Sequence, residues 1–273
     1  MPMAKTSARM PWKNGRPPHL PCGPGDVAEN VLTPGDPDRV RLLADMMDDV
    51  TDFGRKREFA LITGSFEGQR LTICSTGIGG PSTEIAMVEL AMLGAKRLVR
   101  IGGMSSLVRD FGVGTFISVD KAIGDTGTAA LYRAAGGKAQ ASSRVSAALT
   151  AAADELGLEC NSGMVASTDS YYLAQDRPFR VDDDRDPAAG EGFIDRFQAV
   201  GAIGVEMESE IILTVGSALG LEAGCLLGVH GNRATDEWLD DYEPTQRNLL
   251  RIAGRAFSII NREPGVTDDT VQN

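Results

Sequence analysis

The chain has 273 residues, 42% of them apolar and 24% charged, with a formal net charge of −11. That length and apolar share suit one large folded domain with a real core and exclude a disordered chain. The negative charge repels nucleic acid and anionic membranes, so an anionic ligand has to be met by a local group of arginines, and the partner to expect is a small molecule.

Residues 1–29 are rich in Pro, Gly and charge and read as an extended arm, with no apolar signal segment and no membrane span after it; the cytoplasm is the expected location. In "TPGDPDR" Arg39 opens a helix directly after a turn. "FALITGSFEGQRLTICSTG" predicts a hairpin with Glu67-Gly68 at its tip. "PSTEIAMVELAMLG" predicts a helix capped by Ser82 or Thr83, with an apolar stripe of Ile85, Val88, Met92 and Leu93 and a stop at Gly94. "KRLVRIGG" follows as a buried strand.

The alternation continues with the helix "SSRVSAALTAAADELGLE", the strand "CNSGMVAST", the helix "EMESEIILTVGSALGLE", the strand "AGCLLGVHGN" and a last helix from about Tyr242 to Ile260. Between them, the charged insert Arg177–Gly192 reads as solvated surface or a lid, and residues 263–273 as a disordered tail. Strands alternating with helices predict an α/β sheet covered by helices, in which ligands bind outside the carboxyl ends of the strands.

Four cysteines, Cys22, Cys74, Cys160 and Cys225, are widely spaced, and His19 and His230 are the only histidines. Their spacing, with no CxxC pair, argues against a disulfide framework or a zinc site, and two histidines cannot build a histidine-rich metal centre. The turn "GIGGPS" does not complete a dinucleotide fingerprint. Arg39 and Arg57 taken alone read as surface residues, but Arg100 sits inside an apolar run, where its charge requires an anion or a carboxylate partner. Glu206 and Glu208 in "VEMES" admit two readings: a carboxylate capping a helix, or one gripping the vicinal hydroxyls of a sugar.

Taken together, "GDPDR", "REF", "STGIGGPS", "RIG", "STDSYYLAQDR", "VEMES" and "NR" stand in the order and spacing of the uridine phosphorylases of the nucleoside phosphorylase family, which the chain resembles from about His19 to its last helix. The resemblance implies a single α/β domain over residues 30–262, a mixed sheet with a distorted central barrel surrounded by helices. It implies homodimers assembled into hexamers, and phosphorolysis of a nucleoside to free base and ribose 1-phosphate. No metal or organic cofactor is implied for the chemistry.

By motif, the resemblance makes Gly35, Arg39, Arg57, Arg100 and Gly103 the phosphate site. Glu208, Met207 and His19 become the ribose site, with His19 arriving from a neighbouring subunit. Tyr171, Gln175, Arg177 and Arg233 become the base site, Gln175 meeting the N3–H and one carbonyl of uracil. Arg39, Arg100, Arg177 and Glu208 carry the catalysis. Glu58, Ile78 and Ser82 match positions that hold a monovalent cation, potassium, between subunits.

Two departures stand out in "RIGGMSS": Gly103 replaces a threonine that contacts phosphate and ribose, and Met104 replaces a second small polar residue. Asn232, with Asp236 nearby, stands near the place where purine-cleaving relatives carry a base-protonating aspartate. A purine nucleoside phosphorylase, a water-using nucleosidase and a nucleoside-binding protein without catalysis are the competing readings.

Overall fold

The computed structural model describes residues 7–180 and 192–262. The strands are β1 (Asn30–Thr33), β2 (Asp48–Lys56), β3 (Phe59–Phe66), β4 (Gln69–Cys74), β5 (Arg97–Ser106), β6 (Phe116–Gly124), β7 (Cys160–Ser167), β8 (Gly204–Glu206), β9 (Glu222–Asn232) and β10 (Glu237–Trp238). The α-helices are α1 (Pro37–Ala44), α2 (Gly80–Met92), α3 (Gly127–Ala134), α4 (Ser143–Glu155), α5 (Phe193–Gln198), α6 (Ser209–Leu219) and α7 (Glu243–Arg262), with a 3-10 turn at Leu173–Gln175.

The strands form one mixed sheet in the order β10-β9-β6-β7-β8-β5-β1-β4-β3-β2, and β5 also pairs with β9. That extra pairing closes β9, β6, β7, β8 and β5 into a five-stranded barrel, with β1, β4, β3 and β2 as a wing. The barrel mixes directions: β5 runs parallel to β9 and antiparallel to β8, and β6 antiparallel to β9. The expected α/β domain with a distorted barrel is the fold observed.

Two large apolar clusters fill the space between sheet and helices, with a smaller third where Ile194 and Phe197 of α5 meet Ala166 and Val205. One joins Met87 and Leu90 of α2 to Ile211–Val215 of α6; the other joins Val40 and Leu43 of α1 to Val145 and Leu149 of α4 and Leu249–Ile260 of α7. The β3–β4 hairpin turns at Glu67 (φ +48°) and Gly68 (φ +76°), the two positive angles that match the twist of a tight hairpin. Helix α7 extends two residues beyond the expected end.

Helix α2 differs from expectation in two respects. It starts at Gly80 after Gly79 with no side-chain cap, because the single Ser82 hydroxyl proton is shared between Glu58 Oε1, 2.8 Å away, and the Thr76 carbonyl. Its buried face is Thr83, Ala86, Met87 and Leu90, whereas Ile85, Val88 and Leu93 are partly covered and Met92 is exposed. A helix apolar nearly all round gives no periodic signal to choose its inner face.

The arm also differs. Leu20, Cys22 and Val27 belong to the first apolar cluster, so the described part of the arm folds back onto its own domain. The tail 263–273 and most of the charged insert (181–191) lie outside the described residues. Among the described residues, no helix is long and apolar enough to cross a membrane.

Candidate active site

Residues just after β1 and β4, within β5 and β9, and at the exit of the short antiparallel strand β8 surround a cavity of about 740 Å³. Its lining includes Gly35 and Arg39 from the β1–α1 turn, Arg100, Gly102, Gly103 and Met104 from β5, and Glu206, Met207 and Glu208 from β8 and its exit. His230 comes from β9, Tyr242 from the start of the last helix, and Tyr171, Gln175 and Arg177 from the loop after β7.

Arg100 is 5% exposed and answers the cost of a charge in a strand with two carboxylates. Its Nε lies 3.0 Å from Glu206 Oε2 and its Nη2 2.6 Å from Glu208 Oε2. Burial works against the charge, but Glu208 and Glu206 together outweigh it and raise the guanidinium above its ordinary pKa. Gly102 makes room for the head group, since a Cβ there would lie 2.7 Å from Arg100 Cζ.

The two readings of "VEMES" divide between its two glutamates. Glu206 is the cap: its carboxylate accepts from the backbone N–H of Glu208 (2.8 Å) and Ser209 (2.9 Å) at the start of α6, and from Ser167 Oγ at 2.5 Å. Glu208 faces the cavity, with Oε1 accepting from the Gly79 N–H at 2.6 Å and Oε2 on Arg100. One carboxylate fixes the helix and the other serves the pocket.

Arg39 has no carboxylate partner among the described residues; it donates from Nη1 to the Ile101 carbonyl at 3.4 Å. Burial, then the neighbouring Arg100, lowers its pKa to about 10, so it stays charged at neutral pH. A half-buried guanidinium without an ion-pair partner among the described residues, in so acidic a chain, marks a place for an anion. The turn that carries it is pinned by the Gly77 N–H on the Gly35 carbonyl at 2.9 Å, and a Cβ on Gly35 would meet the Gly77 carbonyl at 3.2 Å.

At the opposite end Gln175 is 2% exposed, with Nε2 3.3 Å from Thr168 Oγ1. Arg177 lies 4.2 Å over the ring of Tyr171, and its Nη2 is 3.4 Å from Ser105 Oγ. Arg233 does not line the cavity. It donates to the Gln175 carbonyl at 2.9 Å and the Asp176 carbonyl at 3.4 Å, and so ties down the loop after β7 from outside the cavity.

Two other expected residues stand outside this chain's cavity. Arg57 is exposed at the β2–β3 turn with φ +57°, and Arg55, whose Nε donates to the Arg57 carbonyl at 2.6 Å, lines the cavity in its place. His19 pairs through Nδ1 with the buried Glu89 at 2.7 Å. Glu58, Ile78 and Ser82 do sit together at the cavity's edge, with Ile78 77% exposed.

Asn232 is consumed by its own neighbourhood. Its Nδ2 donates to the carbonyls of Val108, Arg109 and Phe111, and its Oδ1 accepts from Ala234 and Thr235, leaving nothing for a base. Asp236 does not line the cavity. Sequence reasoning missed His230 and Trp238 as lining residues; the signal for His230 was the bare Gly103, legible only once β5 and β9 are paired.

A family model described as the Phosphorylase superfamily matches residues 30–261. A uridine phosphorylase of Thermococcus kodakarensis is 36% identical over 242 residues, 89% of this chain and 86% of that one. The uridine phosphorylase of Escherichia coli is 34% identical over 80% of this chain and 87% of its own length, and a guanosine phosphorylase of Halorubrum lacusprofundi 32% identical over 79% and 83%. With the match running from β1 into the last helix and the likeness spanning the barrel and every strand end around the cavity, the chain belongs to the Phosphorylase superfamily.

Proposed function

We infer that the chain is a pentosyltransferase that cleaves pyrimidine nucleosides, uridine first, with inorganic phosphate. The observation that carries this is one cavity lined both by Arg39, a half-buried cation lacking a carboxylate partner among the described residues, with Glu208 beside Arg100, and by Gln175 with Arg177.

Phosphate binds against Arg39 and the Gly35 turn, with Arg100 as the second cation. The ribose hydroxyls donate to Glu208, whose carboxylate is already oriented by the Gly79 N–H. A phosphate oxygen then forms a bond to the anomeric carbon as the bond from that carbon to the base nitrogen breaks. The electron pair leaves with the base, where Arg177 offsets the developing negative charge, and solvent supplies the base's proton. Glu208 faces the positive charge that builds on the sugar. Positioning and electrostatics supply the rate, as such a reaction requires.

The occupied Asn232 supports the pyrimidine reading, because no carboxylic acid stands where a purine would need one. His19, outside its own cavity, serves the ribose of the neighbouring subunit in a homodimer, the unit from which a hexamer is built. Glu58 and Ser82, hydrogen-bonded to each other at the cavity's edge beside Ile78, are the residues that would hold a monovalent cation such as potassium.

The test is release of free base from uridine, thymidine and guanosine, with and without phosphate. Uracil should appear only with phosphate or arsenate, together with a sugar 1-phosphate. Equal release of ribose in phosphate-free buffer would overturn the reading, and faster cleavage of guanosine would replace it with the purine one.

A further inference from the structure

Strands β5 and β9 pair in register from Arg97 with Glu222 to Met104 with Val229, and resume at Ser105 with Gly231. His230 is therefore the extra residue of a bulge, the device by which a strand re-aims one side chain beside a site. Its ring is aimed at Gly103: a Cβ built on that glycine would lie 2.2 Å from His230 Nδ1 and 2.5 Å from Cε1. The imidazole occupies the space that a side chain at position 103 would fill.

The ring is fixed from two further sides. It stacks on Tyr242 with centroids 4.9 Å apart and planes 19° from parallel, and Nε2 lies 2.8 Å from the amide nitrogen of Gln246. With that amide donating to Nε2, the neutral ring carries its proton on Nδ1, the atom that faces Gly103 and the cavity. Burial, with Arg39 and Arg100 close by, lowers the ring's pKa to about 4, so at neutral pH it is a hydrogen-bond donor and not a cation.

We propose that His230 donates from Nδ1 to a phosphate oxygen and so supplies, from the neighbouring strand, the contact that a hydroxyl side chain at position 103 would make. Gly103 and His230 form one unit: the glycine has to be bare for the imidazole to enter, and the imidazole restores the donor that the glycine lacks. The donor belongs with phosphate because His230 lines the same cavity as Arg39 and Arg100, the two cations whose charge acts on its ring. The proposal rests on phosphate binding at those arginines.

Steady-state kinetics with phosphate and uridine varied separately test it, on His230→Phe, His230→Ala, Gly103→Thr and the double variant Gly103→Thr/His230→Ala, with Arg39→Ala alongside. Losing one hydrogen bond to a charged group should raise the KM for phosphate about tenfold in both His230 variants, and the KM for uridine less than about twofold. Gly103→Thr alone should be impaired at least as much, because its Cβ displaces the ring. The double variant should recover most of the phosphate affinity, an interaction far from additive.

Phosphate-induced rise in melting temperature gives the same comparison without turnover. Should His230→Phe fail to fold, His230→Ala and the double variant decide between the outcomes. If the phosphate KM is unchanged in the His230 variants while Arg39→Ala raises it, or if the double variant is as poor as the sum of its parts, the role given to His230 is wrong. If Arg39→Ala also leaves the phosphate KM unchanged, it is the phosphate site itself that has been misplaced.

Discussion

Where phosphate and sugar are proposed to bind, the side chains stand on the barrel itself, Arg100 within β5 and Glu208 between β8 and α6. Arg100 is 5% exposed, Glu208 equally so, and each is held by at least two partners. At the base end, Tyr171 is 40% exposed and Gln175 sits on a single 3-10 turn that Arg233 ties down through backbone carbonyls. On the proposed reading, the barrel would hold the groups needed for any nucleoside, and a loop the groups that choose among them. A loop can change its side chains without disturbing a ladder of strand hydrogen bonds, which is why specificity belongs there.

The largest effect should come from the rigid end. Glu208→Gln keeps the shape but removes the charge that faces the developing cation, and turnover on uridine should fall about 100- to 1000-fold. Glu206 still pairs with Arg100 in that variant, so its melting temperature should stay near that of the parent. Arg100→Ala is a poorer probe: two carboxylates would remain buried without their cation, at about 3–5 kcal/mol, and a drop in activity would report a damaged fold. A Glu208→Gln enzyme that turns over normally would show that the sugar is not bound where the barrel ends.

At the loop end, Arg177→Ala should lower turnover on uridine by about 10- to 100-fold, tenfold for each 1.4 kcal/mol by which the transition state is less stabilised. The comparison sharpens if this decrease depends on the base. A substrate whose leaving group needs no charge stabilisation should be slowed much less, while Glu208→Gln should slow both alike. Equal decreases for both substrates in both variants would erase the distinction between the two ends.

These residues also divide by how they could be read. Arg100 was legible because a charge in an apolar run demands a partner, and the hairpin because Glu67-Gly68 needs positive φ at both positions. The two glutamates were legible as a pair but not in their separate roles, which depend on where the chain enters α6. His230 was illegible, since its meaning lies in Gly103 on another strand and in a bulge that periodicity does not announce. The inner face of α2 was hidden by apolar residues on all sides, and the core residues of the arm, Leu20 and Cys22, by the prolines between which they sit.

His19 extends the comparison across a subunit boundary. It lies outside its own cavity and is tethered to Glu89, so in a symmetric dimer each site would combine Arg39 of one chain with His19 of the partner subunit. When His19→Ala and Arg39→Ala chains are mixed in equal amounts and allowed to exchange, about half the dimers are mixed and each of those has one intact site. About a quarter of all sites should then regain full activity. A mixture no more active than the mean of its parents, with exchange confirmed, would return His19 to its own chain or remove it from the site.

The smallest effect should come from the one atom by which Tyr171 differs from phenylalanine. Its hydroxyl makes no hydrogen bond among the described residues, whereas its ring lies 4.2 Å beneath the Arg177 guanidinium and lines the cavity. Tyr171→Phe keeps the ring, the stacking face and the cation–π pairing, so kcat/KM for uridine should stay within about twofold. Tyr171→Ala removes all three, and a cation–π pairing of this kind is worth about 0.5–2 kcal/mol, which should raise the KM for uridine by roughly 2- to 30-fold and leave the KM for phosphate alone. The pair of variants thus separates ring from hydroxyl within one position. A large decrease in Tyr171→Phe would mean that the hydroxyl touches the substrate, and the loop would then be reading the nucleoside through a third polar side chain beside Gln175 and Arg177.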